Sequence, residues 1–144
     1  INILQASILA MHKSIEKLSI RNIEGDGLDT SGSNINLKDL TSFNVGDKSI
    51  SIGESSIFEG ENLDIILSNI GIAVKDSSVA NIKNFKISKS KFADIMAYNK
   101  KPFYNKGGII NLEYKGGKSL VIKRDSLSQI KLNNSYFLEN NFNF

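Results

Sequence analysis

A spacing of 22 residues governs this sequence. The segment Leu28-Asp29-Thr30 through Ile35 recurs as Ile50-Ser51-Ile52 through Ile57 and as Ile72-Ala73-Val74 through Val79, and a fourth copy, Ile95-Met96-Ala97, follows at 23. A period in this range means that each unit is one small structural element stacked on the next. A second strip carries pairs five residues apart: Leu18 and Ile23, Leu40 and Val45, Ile65 and Ile70, Ile87 and Phe92, with offsets of 22, 25 and 22. The long step is assigned to about three extra residues near Glu59-Gly60-Glu61, because insertions in repeat folds fall in turns.

Inside each unit the apolar residues alternate. Ile50 and Ile52 flank Ser51, Ile72 and Val74 flank Ala73, and Leu63, Ile65 and Leu67 continue the same period of two. That period belongs to strands. Short Ile- and Val-rich strands separated by Gly, Asn, Asp and Ser, and recurring at a fixed interval, describe the coils of a parallel β-solenoid. Polar residues recur as well: Asn22, Asn44 and Asn69 are assigned to one turn position, and Ser33, Ser55 and Ser77 to another, with Lys91 ending the asparagine row. Amides stacked at one position bond along the solenoid axis, which a sandwich does not require. The fold expected is an all-β, right-handed parallel β-helix of about six coils, with Leu28, Thr30, Ile50, Ile52, Ile72, Val74, Ile95 and Ala97 facing inward. At about 4.8 Å per rung the stack is about 25 to 30 Å long. Each inward aliphatic residue contributes about 1.5 to 3 kcal/mol before ordering entropy is subtracted.

The two ends are less regular. Leu4, Ile8, Met11 and Ile15 fit one face of a helix, whereas Ala6 and Ile8, 22 before Leu28 and Thr30, fit a further coil; the coil is preferred. Residues 99–108, around Pro102, read as a loop leaving the stack. Ile109–Tyr114 alternates again, Leu120-Val121-Ile122 resumes the first strip, and Ile130-Lys131-Leu132 opens a partial coil. The tail residues Tyr136, Phe137, Phe142 and Phe144 either cover the core or begin another coil. Residues 1–144 read as one β-helix domain, and the start at Ile1 suggests part of a longer protein.

Composition narrows the function classes. The absence of Cys and the single His12 remove disulfides, thiol nucleophiles and Cys/His zinc sites, and leave no support for a Ser-His-Asp triad. A net charge of +3 comes from scattered Lys and Arg, so no basic stripe marks a nucleic-acid binder. No apolar run reaches the roughly 18 residues that span a bilayer.

The runs Gly25-Asp26-Gly27-Leu28-Asp29, Gly46 to Glu54 and Ile70 to Asp76 resemble right-handed parallel β-helix repeat proteins of the pectate-lyase-like superfamily, and more narrowly the β-helical regions of bacterial surface proteins. The resemblance covers about residues 14 to 98. It implies an extracellular or cell-surface location and a polysaccharide as one possible partner. It does not imply a hydrolase: the comparable turn here is Gly46-Asp47-Lys48, without the Asp pair or a nearby His.

Candidate sites follow from the alternation. Asp29, Ser31, Ser51, Gly53, Ala73, Lys75, Met96 and Tyr98 face outward on the first strip, where β-helix enzymes lay their glycan. A lyase needs a base and an acid there, for which Lys75 and Tyr98 are the candidates, with Asp29 binding a cation. The blander expectation is a solvated sheet surface. Glu54 and Asp76, one period apart, hold either Ca²⁺ or a shared lysine such as Lys75 or Lys48. Lys101 and Tyr104, with Lys100, Phe103 and Lys106, form a basic-aromatic patch suited to an anionic glycan or nucleic acid; the simpler expectation is a flexible, soluble loop. The leading functional expectation is a non-catalytic structural or interaction module without a cofactor, and the rival is a polysaccharide lyase or epimerase, with or without Ca²⁺.

Overall fold

A computed structural model describes residues 6–9 and 12–144. The strands are β1 (Ala6–Leu9), β2 (His12–Ile23), β3 (Leu28–Ser31), β4 (Asn34–Gly53), β5 (Ile57–Lys75), β6 (Val79–Tyr98), β7 (Ile109–Glu113), β8 (Ile122–Arg124), β9 (Gln129–Leu132) and β10 (Ser135–Tyr136). Strands β1 to β9 pair in parallel, and only β9 and β10 pair antiparallel. The chain is therefore a parallel β-solenoid, with about five turns of about 22 residues. The sixth expected coil is incomplete, because six rungs on one face enclose five turns and the chain short-cuts from β7 to β8.

The first strip pairs as its spacing predicts. Leu28 lies against Ile50, Ile50 against Ile72 and Ile72 against Ile95, while Thr30, Ile52, Val74 and Ala97 form the parallel column. All eight side chains are buried. The coil reading of the N-terminal stretch holds at β1, where Ala6 pairs with Leu28 and Ile8 with Thr30. Leu4 and Met11 of the helical alternative lie outside the described residues.

The second strip pairs differently from expectation. Leu40 faces Leu63 rather than Ile65, at an offset of 23, and Ile65 faces Ser42. The insertion is one residue, in the turn at Glu54–Ser56, not three near Glu59–Glu61: Ser31 still pairs with Gly53 at 22, but Asn34 pairs with Ile57 at 23. One residue is returned between Val45 and Lys48, where the register shifts back. Ile122 faces Ile95 at 27, so the C-terminal strand is set two residues later than the Leu120 alignment.

Both polar rows move with this register. The asparagine row is a pair: Asn44 Nδ2 donates to Asn22 Oδ1 at 2.9 Å, both at positive φ, and Leu67 and Lys89 take the same left-handed position in the next coils. Asn69 and Lys91 are not in it. The serine row is Ser33, Ser56 and Ser78 rather than Ser33, Ser55 and Ser77. Ser33 N donates to Ser56 Oγ and Ser56 N to Ser78 Oγ, each at 3.1 Å. In the next coil Gly108 holds the position, since a Cβ there would sit 2.1 Å from the Val74 carbonyl oxygen, and its own N donates to Ser128 Oγ. Buried amides at each corner thus find hydroxyl acceptors that the strand ladder cannot give them.

The core columns adjust in size between rungs. Phe58 lies between Ile35 and Ala80, and Gly60 makes room for its ring: a Cβ at Gly60 would lie 2.7 Å from Phe58 Cε1. At the C-terminal end, Asn133 and Asn134 at positive φ turn β9 into β10, the geometry of a two-residue hairpin loop. The chain then recrosses β8. Asn141 N and Phe142 N donate to the Arg124 carbonyl, so the tail covers the edge of β8 rather than beginning a further coil.

Ser56→Ala removes an acceptor from a buried amide and is expected to cost about 1 to 3 kcal/mol. Asn44→Gly loses an exposed side-chain bond but keeps a residue suited to positive φ, and should stay within about 0.5 kcal/mol. Urea denaturation of the two variants measures the difference.

Candidate functional site

Three surfaces contain the chemistry-bearing residues. The first is the outward face of β3, β4, β5, β6 and β8. Here Asp29, Ser51, Ala73 and Met96 form one row, and Gly53, Lys75 and Tyr98 lie beside it, with Lys75 and Tyr98 direct register partners. The face is not solvated: Lys75 is 8% and Tyr98 3% exposed, and Ser51, Ala73 and Met96 are buried. Two things cover it. Long side chains lie down across the small residues, as Lys75 does over Gly53, with its Cε 3.1 Å from where a Cβ would be. The tail adds aromatic rings: Phe142 meets Tyr98 edge-on at 5.5 Å and Phe144 stacks on it at 5.4 Å.

Electrostatics differ between the two lysines of this face. Burial works to lower the pKa of Lys48, but its hydrogen bond to Asp47 at 2.6 Å and the charge of Asp26 at 3.2 Å outweigh it, and the pKa is raised. Burial also lowers that of Lys75, and no ion pair among the described residues opposes it: the charges of Asp29 and Asp26 act only at longer range, offset by Lys48 and Lys100. Burial pushes the Tyr98 hydroxyl up to about 12. The structure thus brings Lys75 and Tyr98 together, and it holds them in a packed layer.

The second surface is the corner at Glu54 and Asp76, both at positive φ on neighbouring rungs. Their partners are separate. Glu54 accepts bonds from Lys101 Nζ and Ser31 Oγ, which lower its pKa, while Asp76 Oδ1 accepts the backbone N–H groups of Lys100 and Lys101 at 2.7 and 2.8 Å. The expected shared lysine does not occur among the described residues: the Lys101 ammonium pairs with Glu54 alone, Lys48 pairs with Asp26 and Asp47, and Lys75 acts on Glu54 only through its charge. No cluster of three metal-binding side chains occurs among the described residues. The loop at 99–108 is anchored here rather than free: Asp125 Oδ2 accepts Asn99 N at 2.7 Å, Asn99 Nδ2 donates to the Lys106 carbonyl, and Ser77 Oγ donates to that of Tyr104. A single 3-10 turn, Pro102–Tyr104, leaves Phe103 exposed and Tyr104 half-buried.

Sequence reasoning missed the third surface. A groove of about 800 Å³ runs along the outward face of β4, β5, β6, β7 and β9. Register places Asn36, Glu59, Asn81, Asn111 and Lys131 in one row on its floor. Asn111 Nδ2 donates to Asn81 Oδ1 at 2.8 Å, and Asn81 Nδ2 to Glu59 Oε1 at 2.6 Å. Beside it stand Glu61, Lys83 and Glu113, with Lys83 and Glu61 paired at 3.7 Å. The signal was faint, because the 99–108 loop separates Asn81 from Asn111 by 30 residues.

No family model, no curated protein and no solved structure matches this chain.

Two measurements test these placements. Ionisation of Tyr98 occurs near pH 10 in the unfolded chain and near 12 in the folded one. Deprotonation then favours the unfolded state, so stability from this group is full below pH 10 and is lost as pH rises toward 12. Between pH 9 and 11 the wild type should lose about 1 kcal/mol more than Tyr98→Phe in denaturant titrations. Asp125→Ala frees Asn99 N and should accelerate tryptic cleavage after Lys100 and Lys106, read by mass spectrometry.

Proposed function

We propose that this solenoid is a non-catalytic structural and interaction module of an exported or cell-surface bacterial protein. The observation that carries the reading is the covered first face. Lyase or epimerase chemistry on a glycan needs a base and an acid in contact with substrate. Lys75 and Tyr98, the best pair available, lie under side chains and tail, with Tyr98 enclosed by Phe142 and Phe144. A tyrosine held to about 12 is also a poor proton donor near neutral pH.

Further support comes from the continuity of the stack. Strands β4, β5 and β6 each run 19 or 20 residues round the coil, so neighbouring turns are joined along most of their length, which suits a spacer or a display scaffold. The resemblance to pectate-lyase-like repeats of bacterial surface proteins supports the location. Glycan contact through Lys101 and Tyr104 is a subsidiary element of the proposal, limited by the Lys101–Glu54 ion pair. Ca²⁺ at Glu54 and Asp76 belongs to the rival reading, since both carboxylates already have protein partners.

Incubation with pectate, alginate and glycosaminoglycans, with and without Ca²⁺, is expected to give no rise in ultraviolet absorbance from unsaturated uronides. Release of such products, abolished by Lys75→Ala, would establish the lyase instead.

A further inference from the structure

We infer that the groove on β4, β5, β6, β7 and β9 binds a linear, uncharged polysaccharide lying along the solenoid axis. The inference rests on the interaction-module reading and names the partner. Its first ground is charge. The groove has three carboxylates, Glu59, Glu61 and Glu113, and three ammonium groups, Lys83, Lys115 and Lys131. An anionic glycan or a nucleic acid would meet as many repelling as attracting charges, and the Lys83–Glu61 pair would have to be broken to use one of them.

The second ground is hydrogen-bonding capacity. Asn81 and Asn111 each spend one N–H on the ladder and keep a second N–H and spare lone pairs. Among the described residues Asn36, at the end of the row, makes no side-chain bond, and neither does Asn134 in the groove wall. Amides with both donors and acceptors unspent match hydroxyls, which also do both. The third ground is an apolar strip. Beside the groove rather than in its lining, Ile57, Val79 and Ile109 stand two residues before Glu59, Asn81 and Asn111 on the same outward face; Ile57 is 47% exposed and the other two are half-buried. A pyranose ring offers the same pairing of hydroxyl edge and C–H face.

The fourth ground is spacing. The five rungs of the row are about 4.8 Å apart, about 19 Å from end to end. A pyranose unit advances an extended chain by about one rung. An extended peptide repeats its side chains on one face every 6.6 to 6.8 Å or so, and falls out of step after two rungs.

The test uses the whole chain and isothermal titration with β-1,4-linked gluco-, xylo- and manno-oligosaccharides of increasing length, beside pectate and alginate oligomers. Binding to at least one uncharged series is expected, rising with length up to about five units and then levelling, with little change between low and high salt. The double variant Asn81→Ala and Asn111→Ala should weaken it by about tenfold, with thermal unfolding followed in parallel. Thr41→Ala, exposed and outside the groove, should leave it unchanged. Should the double variant unfold, Asn36→Ala keeps the test alive: it removes an exposed amide at the end of the row and should weaken uncharged-glycan binding severalfold without loss of the fold. Failure of every uncharged series, or salt-sensitive binding of the acidic oligomers alone, overturns the inference but leaves the interaction module standing. Product release from any polymer overturns the module itself.

Discussion

The parallel backbone ladder between successive coils fixes everything else in this molecule. Once rungs are hydrogen-bonded in register, each side chain has its equivalents about 4.8 Å above and below, and the chain must supply residues that tolerate such neighbours. Aliphatic columns satisfy the condition inside. Hydroxyls and amides satisfy it at the corners, where Ser56 serves Ser33 and Ser78 serves Ser56. Charges satisfy it by alternation: Glu16 pairs with Lys38 at 3.2 Å, Glu61 with Lys83, and Glu113 follows Lys83 on the next rung. Where like charges do stack, at Glu54 and Asp76, the loop after β6 delivers an ammonium group to one and two amides to the other.

This constraint explains how much was legible in the sequence. The first strip could be read residue by residue, since Leu28, Ile50, Ile72 and Ile95 recur with an unbroken pattern around them. The second could not. Leu63, Ile65 and Leu67 are all apolar, and sliding a strand by two residues keeps every side chain on its own face, so hydrophobic pattern does not distinguish Leu40 facing Leu63 from Leu40 facing Ile65. The displaced asparagine and serine rows inherit that ambiguity, together with a one-residue insertion at Glu54–Ser56 that leaves no compositional trace. The neighbourhood of Lys75 and Tyr98 was visible in the repeat; its cover was not, because Phe142 and Phe144 come from outside it.

The two sheet faces differ for a reason rooted in side-chain size. On the first, Gly53, Ser51 and Ala73 leave a furrow that long neighbours and the tail fill, burying Lys75 without an ion pair among the described residues at the cost of its basicity. On the other, Asn, Glu and Lys recur at each rung, half-buried to exposed, and line an open groove. One fold thereby yields a packed flank and an open one from a single difference in the outward residues.

Arg124 gives the C-terminal end a mechanical character of its own. Its guanidinium donates to the carbonyls of Phe137, Leu138, Asp125 and Ser128 at 2.8 to 3.0 Å, and its own carbonyl accepts the Asn141 and Phe142 amides. A pull on the tail loads these bonds together instead of one after another. Beyond that knot each coil is held mainly by its neighbours, so a solenoid tugged from this end resists as a unit first and then pays out chain one turn at a time.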